Sequence, residues 1–248
     1  ETVRGIINDW SCSGKSYTGT VSITKTGTGD WRLTGNNTYS GLTTVTGGRL
    51  IVNGTHSGKG QVNITSDATL AGIGTLAAKV TALKGATVLA GDSVVASSVL
   101  KLAGGFTASA GSMVAFPLYT DATSARCNQI RVTGALAIND ATLVLDLSRA
   151  TSIADDQAFT LFNTIGLATV SGTGFSSIEP AQPSATQVWD TSELLTTGKI
   201  YVRNAASGIH GVKADTATGD EPAYHMDGLA SQTHKGLLIQ KGKKYVEK

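Results

Sequence analysis

The chain has 248 residues, of which 40% are hydrophobic, 15% charged and 6% aromatic, with 30 glycines and 4 prolines. Its formal charge of +2 is too small to argue for a nucleic-acid partner, and β-branched and aliphatic residues recur too densely for intrinsic disorder. No apolar run approaches the roughly 20 residues that span a bilayer.

Thr, Val, Ala, Gly and Leu dominate, a composition suited to many short strands closed by Gly or Asn/Asp turns. The chain opens at Glu1 without Met or a signal peptide, so it is expected to be a mature or excised portion of a longer protein. From Ile23 the stretch ITKTGTGDWRLTG places glycines as corners between strand-like pieces. In the segment Trp31 to Val52, Asn37, Thr38 and Tyr39 are expected to turn the chain, and Gly47 or Gly48 to set the next corner. Leu33, Val45, Leu50 and Val52 are expected to point inward.

A unit then recurs, with Gly or Asp three positions before an aliphatic residue: GGRLIV at Leu50, DATLAG at Leu70, GATVLA at Val88, GSMVAF at Val114 and DATLVL at Leu143. The intervals are 20, 18, 26 and 29 residues, and looser copies intervene at Gly60 and Gly134. Gly reaches positive φ without steric cost, and Asp caps a turn with its own carboxylate. One short strand buries too little to stand alone, whereas stacked coils share backbone hydrogen bonds and bury a continuous inner column. Intervals near 20 favour a parallel β-helix over a propeller, whose blades repeat at about 40–50 residues. A β-sandwich also spaces short strands regularly, but two-residue hairpin signals are few. The fold class is therefore all-β, a parallel β-helix over residues 1–204.

After Ser109 the strands lengthen and become more apolar, as in MVAFPLY, TLVLDLS and KIYVRN, and are expected to widen the solenoid or cap its end. Residues 205–222 read as a linker rich in Gly and Asp, followed by a small β segment over 223–248. Cys12 and Cys127 should lie several coils apart at about 4.8 Å per coil. A disulfide needs Cα atoms within about 7 Å, so both are expected to be unpaired.

The stretch WRLTGNNTYSGLTTVTGGRLIVNG resembles the passenger-associated repeat of bacterial autotransporters, through Leu33, Thr34, Gly35, Asn37, Thr38, Tyr39, Gly41, Thr43, Thr44, Val45, Gly48, Leu50 and Val52. VWDTSELLTTGKIYV, from Val188 to Val202, is similar to the closing segment of the same proteins. That resemblance implies an exported, right-handed β-helix at the cell surface, adhesive or serving as a stalk, with a repeat tied to secretion and folding, not to catalysis. Within these 248 residues no membrane β-barrel is expected after the repeat. The tail from Tyr224 instead resembles the end of the type IX secretion sorting domain of Bacteroidetes through Gly228, Lys235, Gly236, Ile239, Gly242, Lys243 and Lys244, while His225, Met226 and Leu238 depart from it.

Candidate chemistry is sparse. Asp155 and Asp156 are adjacent, and adjacent side chains of an extended segment diverge, which fits a turn better than an acid/base pair or a Ca²⁺ site. His56, His210, His225 and His234 lack metal-ligand spacing and are expected at the solvated surface. No nucleophile elbow or phosphate loop occurs, so no catalytic residue, metal or cofactor is assigned. Trp31 and Tyr39 are the candidates for carbohydrate stacking, because a flat amphipathic ring suits a sugar face as well as a coil edge; Trp10 and Trp189 join them only weakly. The Thr-rich stretches are expected to form outward ladders stabilised by cross-strand pairs.

These readings converge on a non-catalytic module, secreted or on the cell surface, acting as stalk or adhesin-like passenger and forming the C-terminal piece of a longer exported protein. The alternative is an accessory or carbohydrate-binding region of a polysaccharide-degrading lyase or glycoside hydrolase whose catalytic part lies upstream. The implied partner is a polysaccharide or a host or bacterial surface glycan. The implied location is the outside or outer surface of a Gram-negative bacterium.

Overall fold

The computed structural model describes residues 1–11, 18–92, 97–120, 124–163 and 169–205, together with the backbone of strands Tyr224–His225, Leu237–Gln240 and Lys243–Val246. The chain divides into two compact units, Glu1–Asn204 and Ala205–Lys248. In the second unit the three strands form a small antiparallel sheet. The linker expected over 205–222 lies, apart from Ala205, outside the described residues.

The first unit is all-β, and its coils stack in parallel as a β-helix with three faces. The first face carries Asp30–Leu33, Gly48–Val52, Ala68–Ala71, Thr87–Leu89, Met113–Thr120 and the second half of Leu136–Ala150, in that spatial order. The second face carries Ile23–Lys25, Thr43–Val45, Val62–Ile64, Val80–Ala82, Phe106–Ala108 and the first half of Leu136–Ala150. The third carries Thr55–His56, Thr75–Leu76, Val99–Leu102 and Gln129–Val132, with Asn37 joining at one end and Phe162 at the other.

Register explains the repeat. Leu50, Leu70, Val88, Val114 and Leu143 are direct neighbours on successive coils of the first face, each at most 1% exposed. The looser copies supply the inner column of the second face, where Val62, Val80, Phe106 and Leu136 are in register. Leu33, Val45 and Val52 also belong to the core, as their spacing requires. Outward on the second face, Thr24, Thr44, Asn63, Thr81 and Thr107 form the expected ladder.

The irregular intervals share one structural cause. Both long coils place their extra residues at the corner between the first and third faces, one after Leu89 and one in the antiparallel excursion that pairs Leu118–Thr120 with Ala125–Cys127. A corner insertion leaves the ladders in register, so its length is free to vary. The parallel ladder continues through Val170–Glu179, which pairs along Leu136–Val144, and the solenoid ends in a sheet in which Ala158–Thr160 and Gln187–Asp190 flank Lys199–Asn204 in antiparallel fashion. Its Phe159, Ile200 and Val202 are buried in the same core, so the longer apolar strands both widen the solenoid and close its end.

Gly48 shows why a corner needs glycine. Its φ is +60°, and a Cβ there would collide with the carbonyls of Gly27, Thr28 and Gly29 on the preceding coil.

Leu70→Ala should lower the unfolding free energy by about 2–5 kcal/mol, the usual cost of truncating a buried Leu. Thr81→Ala, on the outer ladder, should change it by less than about 1 kcal/mol. Urea denaturation followed by circular dichroism checks both; equal effects would contradict the assignment of faces.

Candidate functional site

The side chains with chemical potential gather at the N-terminal end of the solenoid. There the inward column is polar, unlike the aliphatic column that follows. Lys25 stands in register with Val45, and through it with Ile64, yet is only 1% exposed. Its Nζ donates to three carbonyls, Thr26 at 2.7 Å, Gly27 at 2.9 Å and Gly47 at 2.9 Å. Three donors meeting three acceptors at a corner satisfy the ammonium and close the base of the core.

Tyr39 is 2% exposed, and its hydroxyl shares a 2.8 Å hydrogen bond with the Thr43 hydroxyl. Its ring stacks on His56 with centroids 4.2 Å apart and planes inclined by 23°. Burial raises its pKa, against the opposing effect of the Thr43 hydrogen bond. The sugar-stacking expectation is thereby corrected for Tyr39: the ring is a core residue covered by His56. Trp31 is the register neighbour of Leu50 and packs half-buried against the core. It lies on the same side of its strand as Leu33, two residues on, and so begins the inward column.

His56 also departs from expectation. It is 2% exposed, not solvated, because the two-residue strand Thr55–His56 turns it inward in register with Leu76. Neither ring nitrogen has a hydrogen-bond partner. Burial lowers its pKa, opposed by the Asn37 carbonyl, which lies outside hydrogen-bonding geometry. Asn37 is itself buried; its Oδ1 accepts from the Ile7 amide at 2.9 Å, and its Nδ2 donates to the Gly35 carbonyl at 3.3 Å. His210 and His234 lie outside the described residues, and of His225 only the backbone is described.

The remaining candidates resolve into structural roles. Asp156 sits in a turn with φ +63° and pairs with Arg203 at 2.5 Å. Asp155 instead accepts from Gln187 at 2.8 Å and Asn204 at 3.1 Å, so the two carboxylates diverge. Cys127 is a free, buried thiol that donates to the Thr160 carbonyl at 3.1 Å, and burial pushes its pKa up to about 12. Cys12 lies outside the described residues. Trp189 donates its indole N–H to the Pro180 carbonyl at 3.0 Å, whereas Trp10 is 56% exposed.

Two surface hollows occur near the C-terminal end of the solenoid. One, of about 330 Å³, is lined by Thr151, Ile153, Ser184, Thr186 and Gln187 among others; the other, of about 380 Å³, by Leu143, Phe175, Ile178, Leu194 and Leu195 among others. Neither lining contains an ionisable side chain. Among the described residues no group of three His, Cys, Asp or Glu side chains is placed to hold a metal ion. No described helix is long and apolar enough to cross a membrane.

Residues 23–52 match the family model described as the passenger-associated-transport-repeat. The molecule is thus a parallel β-helix whose first coils match the passenger-associated-transport-repeat. Over 78 residues it is 38% identical to the Adhesin BmaC autotransporter of Brucella suis biovar 1 (strain 1330). That alignment covers 31% of this chain and 2% of the relative, so the chain spans a small fraction of that protein's length.

The geometry explains the motif residues as architecture. Asn37 ties the repeat to the coil before it through Ile7, Tyr39 and Thr43 pair inside the core, and Gly41 leaves room for the Val21 carbonyl, which a Cβ would strike. What sequence reasoning missed is the inward polar set of Lys25, Asn37 and His56. Only Lys25 had a local signal, two residues from Ile23 on one strand; Asn37 and His56 are separated from the nearest core aliphatic by a corner.

The depressed His56 pKa has a direct consequence. The unfolded chain binds a proton near the ordinary pH of about 6.5 that the folded chain refuses. The stability linked to His56 is therefore present above that pH and is lost as pH falls through the folded value. Unfolding free energy should decline between about pH 7 and pH 5, and His56→Leu should flatten that segment. Asp9, Asp30 and Asp190, also lowered by their hydrogen bonds, act below it, in the carboxylate range. Denaturant titrations across pH check the outcome; an unchanged slope in His56→Leu would contradict it.

Proposed function

We propose that this chain is a non-catalytic β-helical module of an exported protein, displayed at the surface of a Gram-negative cell as a stalk or adhesin-like passenger. The observation that carries the reading is the continuity of the in-register ladders from the passenger repeat at residues 23–52 to the end sheet, with Asn37 tied to Ile7 of the preceding coil and Tyr39 stacked on His56 of the next. The likeness to an autotransporter named as an adhesin supports the same reading. A long array of near-equivalent coils suits extension and repeated weak contact, because each coil interacts mainly with its neighbours.

A surface glycan is the partner chemistry the reading favours. Trp31 keeps partial solvent access at the start of the inward column, whereas Tyr39 does not. Export through a tail-borne sorting signal belongs to the same proposal, supported by the motif residues from Gly228 to Lys244 and by the small antiparallel sheet that the tail strands form.

Fused to a surface anchor in a non-adherent Gram-negative host, residues 1–248 should confer adherence to glycan-coated surfaces. The purified chain should release no product from any polysaccharide in reducing-end and ultraviolet-absorbance assays. Turnover of a polysaccharide by the purified chain would overturn the non-catalytic reading. Displayed cells that adhere no better than the host would overturn the adhesin reading.

A further inference from the structure

The three faces differ in how they dispose of charge. All four ion-pair contacts among the described residues lie on the first face, at its corner or in the end sheet: Arg49 with Asp30, Arg32 with Asp92, and Arg203 with both Asp156 and Asp190. The second face presents a neutral ladder of threonines and Asn63. The strands of the third face contain no carboxylate at all.

On that third face the outward row runs Thr55, Thr75, Lys101 and Arg131 in direct register. Lys101 and Arg131 are therefore like charges on adjacent coils, an arrangement that destabilises a sheet. Neither makes an ion pair among the described residues. The Arg131 Nε is enclosed and has no hydrogen-bond partner among the described residues, so the side chain is held in place by packing and not by an acid. Lys59 and Lys79, both exposed, add two more unpaired cations at the corner where this face passes into the second.

We propose that the third face is the binding surface for a linear anionic polysaccharide lying along the solenoid axis, with Lys101 and Arg131 as its central contacts. The proposal rests on the passenger reading above and names the site and the partner class within it. Coils about 4.8 Å apart set Lys101 and Arg131 side by side along the axis, with Lys59 and Lys79 on earlier coils at the adjoining corner, a spread that matches a polymer bearing carboxylate or sulfate groups along its length better than a compact anion. Charge complementarity carries the assignment: adjacent cations on strands without an acid gain most from a partner that brings the missing anions. The described outward positions of this face hold no aromatic ring, which disfavours single-stranded nucleic acid, since that partner uses stacking platforms. The lysine-rich tail adds a constant background that comparison between variants removes.

The test uses the full chain on immobilised heparin, on polygalacturonate and on single-stranded DNA. Lys101→Gln/Arg131→Gln is compared with Arg4→Gln/Lys84→Gln, which removes the same charge from exposed positions elsewhere. The third-face variant should elute from a glycan column at clearly lower salt and bind severalfold more weakly, while the control variant matches the parent. Its melting temperature should equal or exceed the parent's, because a like-charge pair is relieved. Equal loss in both variants would reduce the effect to net charge and overturn the proposal. So would failure of the parent chain to bind either glycan, or a stronger dependence on these residues for DNA than for glycan. Displaying cells that adhere equally well with the third-face substitutions would overturn this site and leave the adhesin reading standing. Binding through these residues by a chain whose displaying cells do not adhere would uphold the site and overturn that reading.

Discussion

The structure depends on one constraint, the parallel register that keeps successive coils aligned. Once Leu50 is set opposite Leu70, and Leu70 opposite Val88, the facing of every neighbouring residue follows, because strand side chains alternate with a period of two. The inner column is then continuous and buried, and the outer surface becomes a set of rows. Corners absorb variation in length. That division explains how intervals from 18 to 29 residues coexist with unbroken ladders, and why the largest excursions cluster at one corner.

The ends and the largest excursion need other devices, since an open end exposes core and strand edge together. At the N-terminal end Lys25 and Trp31 occupy inward positions, the first satisfied by three carbonyls and the second half-buried. Asp92, in the corner after Leu89, reaches back along the solenoid to Arg32 and to Asn53. This clasp joins the fourth first-face strand of the series to the first two. At the other end the antiparallel sheet of Ala158–Thr160, Gln187–Asp190 and Lys199–Asn204 replaces the coil geometry and buries Phe159, Ile200 and Val202 against the last coils.

Much of this was legible in the sequence, and the boundary is physical. The first face announced itself through a Gly or Asp corner three residues before each inward aliphatic, since corner chemistry and burial both leave residue signatures. The third face left almost none: Thr55–His56 and Thr75–Leu76 are two-residue strands, and no period can be read from two residues. From sequence His56 therefore reads as a surface residue, and the Lys101–Arg131 row appears only when distant segments are laid side by side. Tyr39 shows the complementary error, a turn residue by motif whose side chain nonetheless folds inward onto His56. The Arg32–Asp92 contact, 60 residues apart in sequence, has no local signal at all.

The central claim is the parallel register itself, and engineered cysteines test it most directly. In a background of Cys12→Ser and Cys127→Ala, Thr81→Cys with Thr107→Cys places two outward thiols on register partners of the second face. Adjacent parallel strands lie about 4.8 Å apart, within the Cα range a disulfide accepts, about 4.4–6.8 Å. The account predicts ready oxidation of this pair to an intramolecular cross-link, and little for Thr81→Cys with Ser109→Cys, shifted by two residues. Efficient cross-linking of the shifted pair, or none of the aligned one, would contradict the stacked-coil architecture.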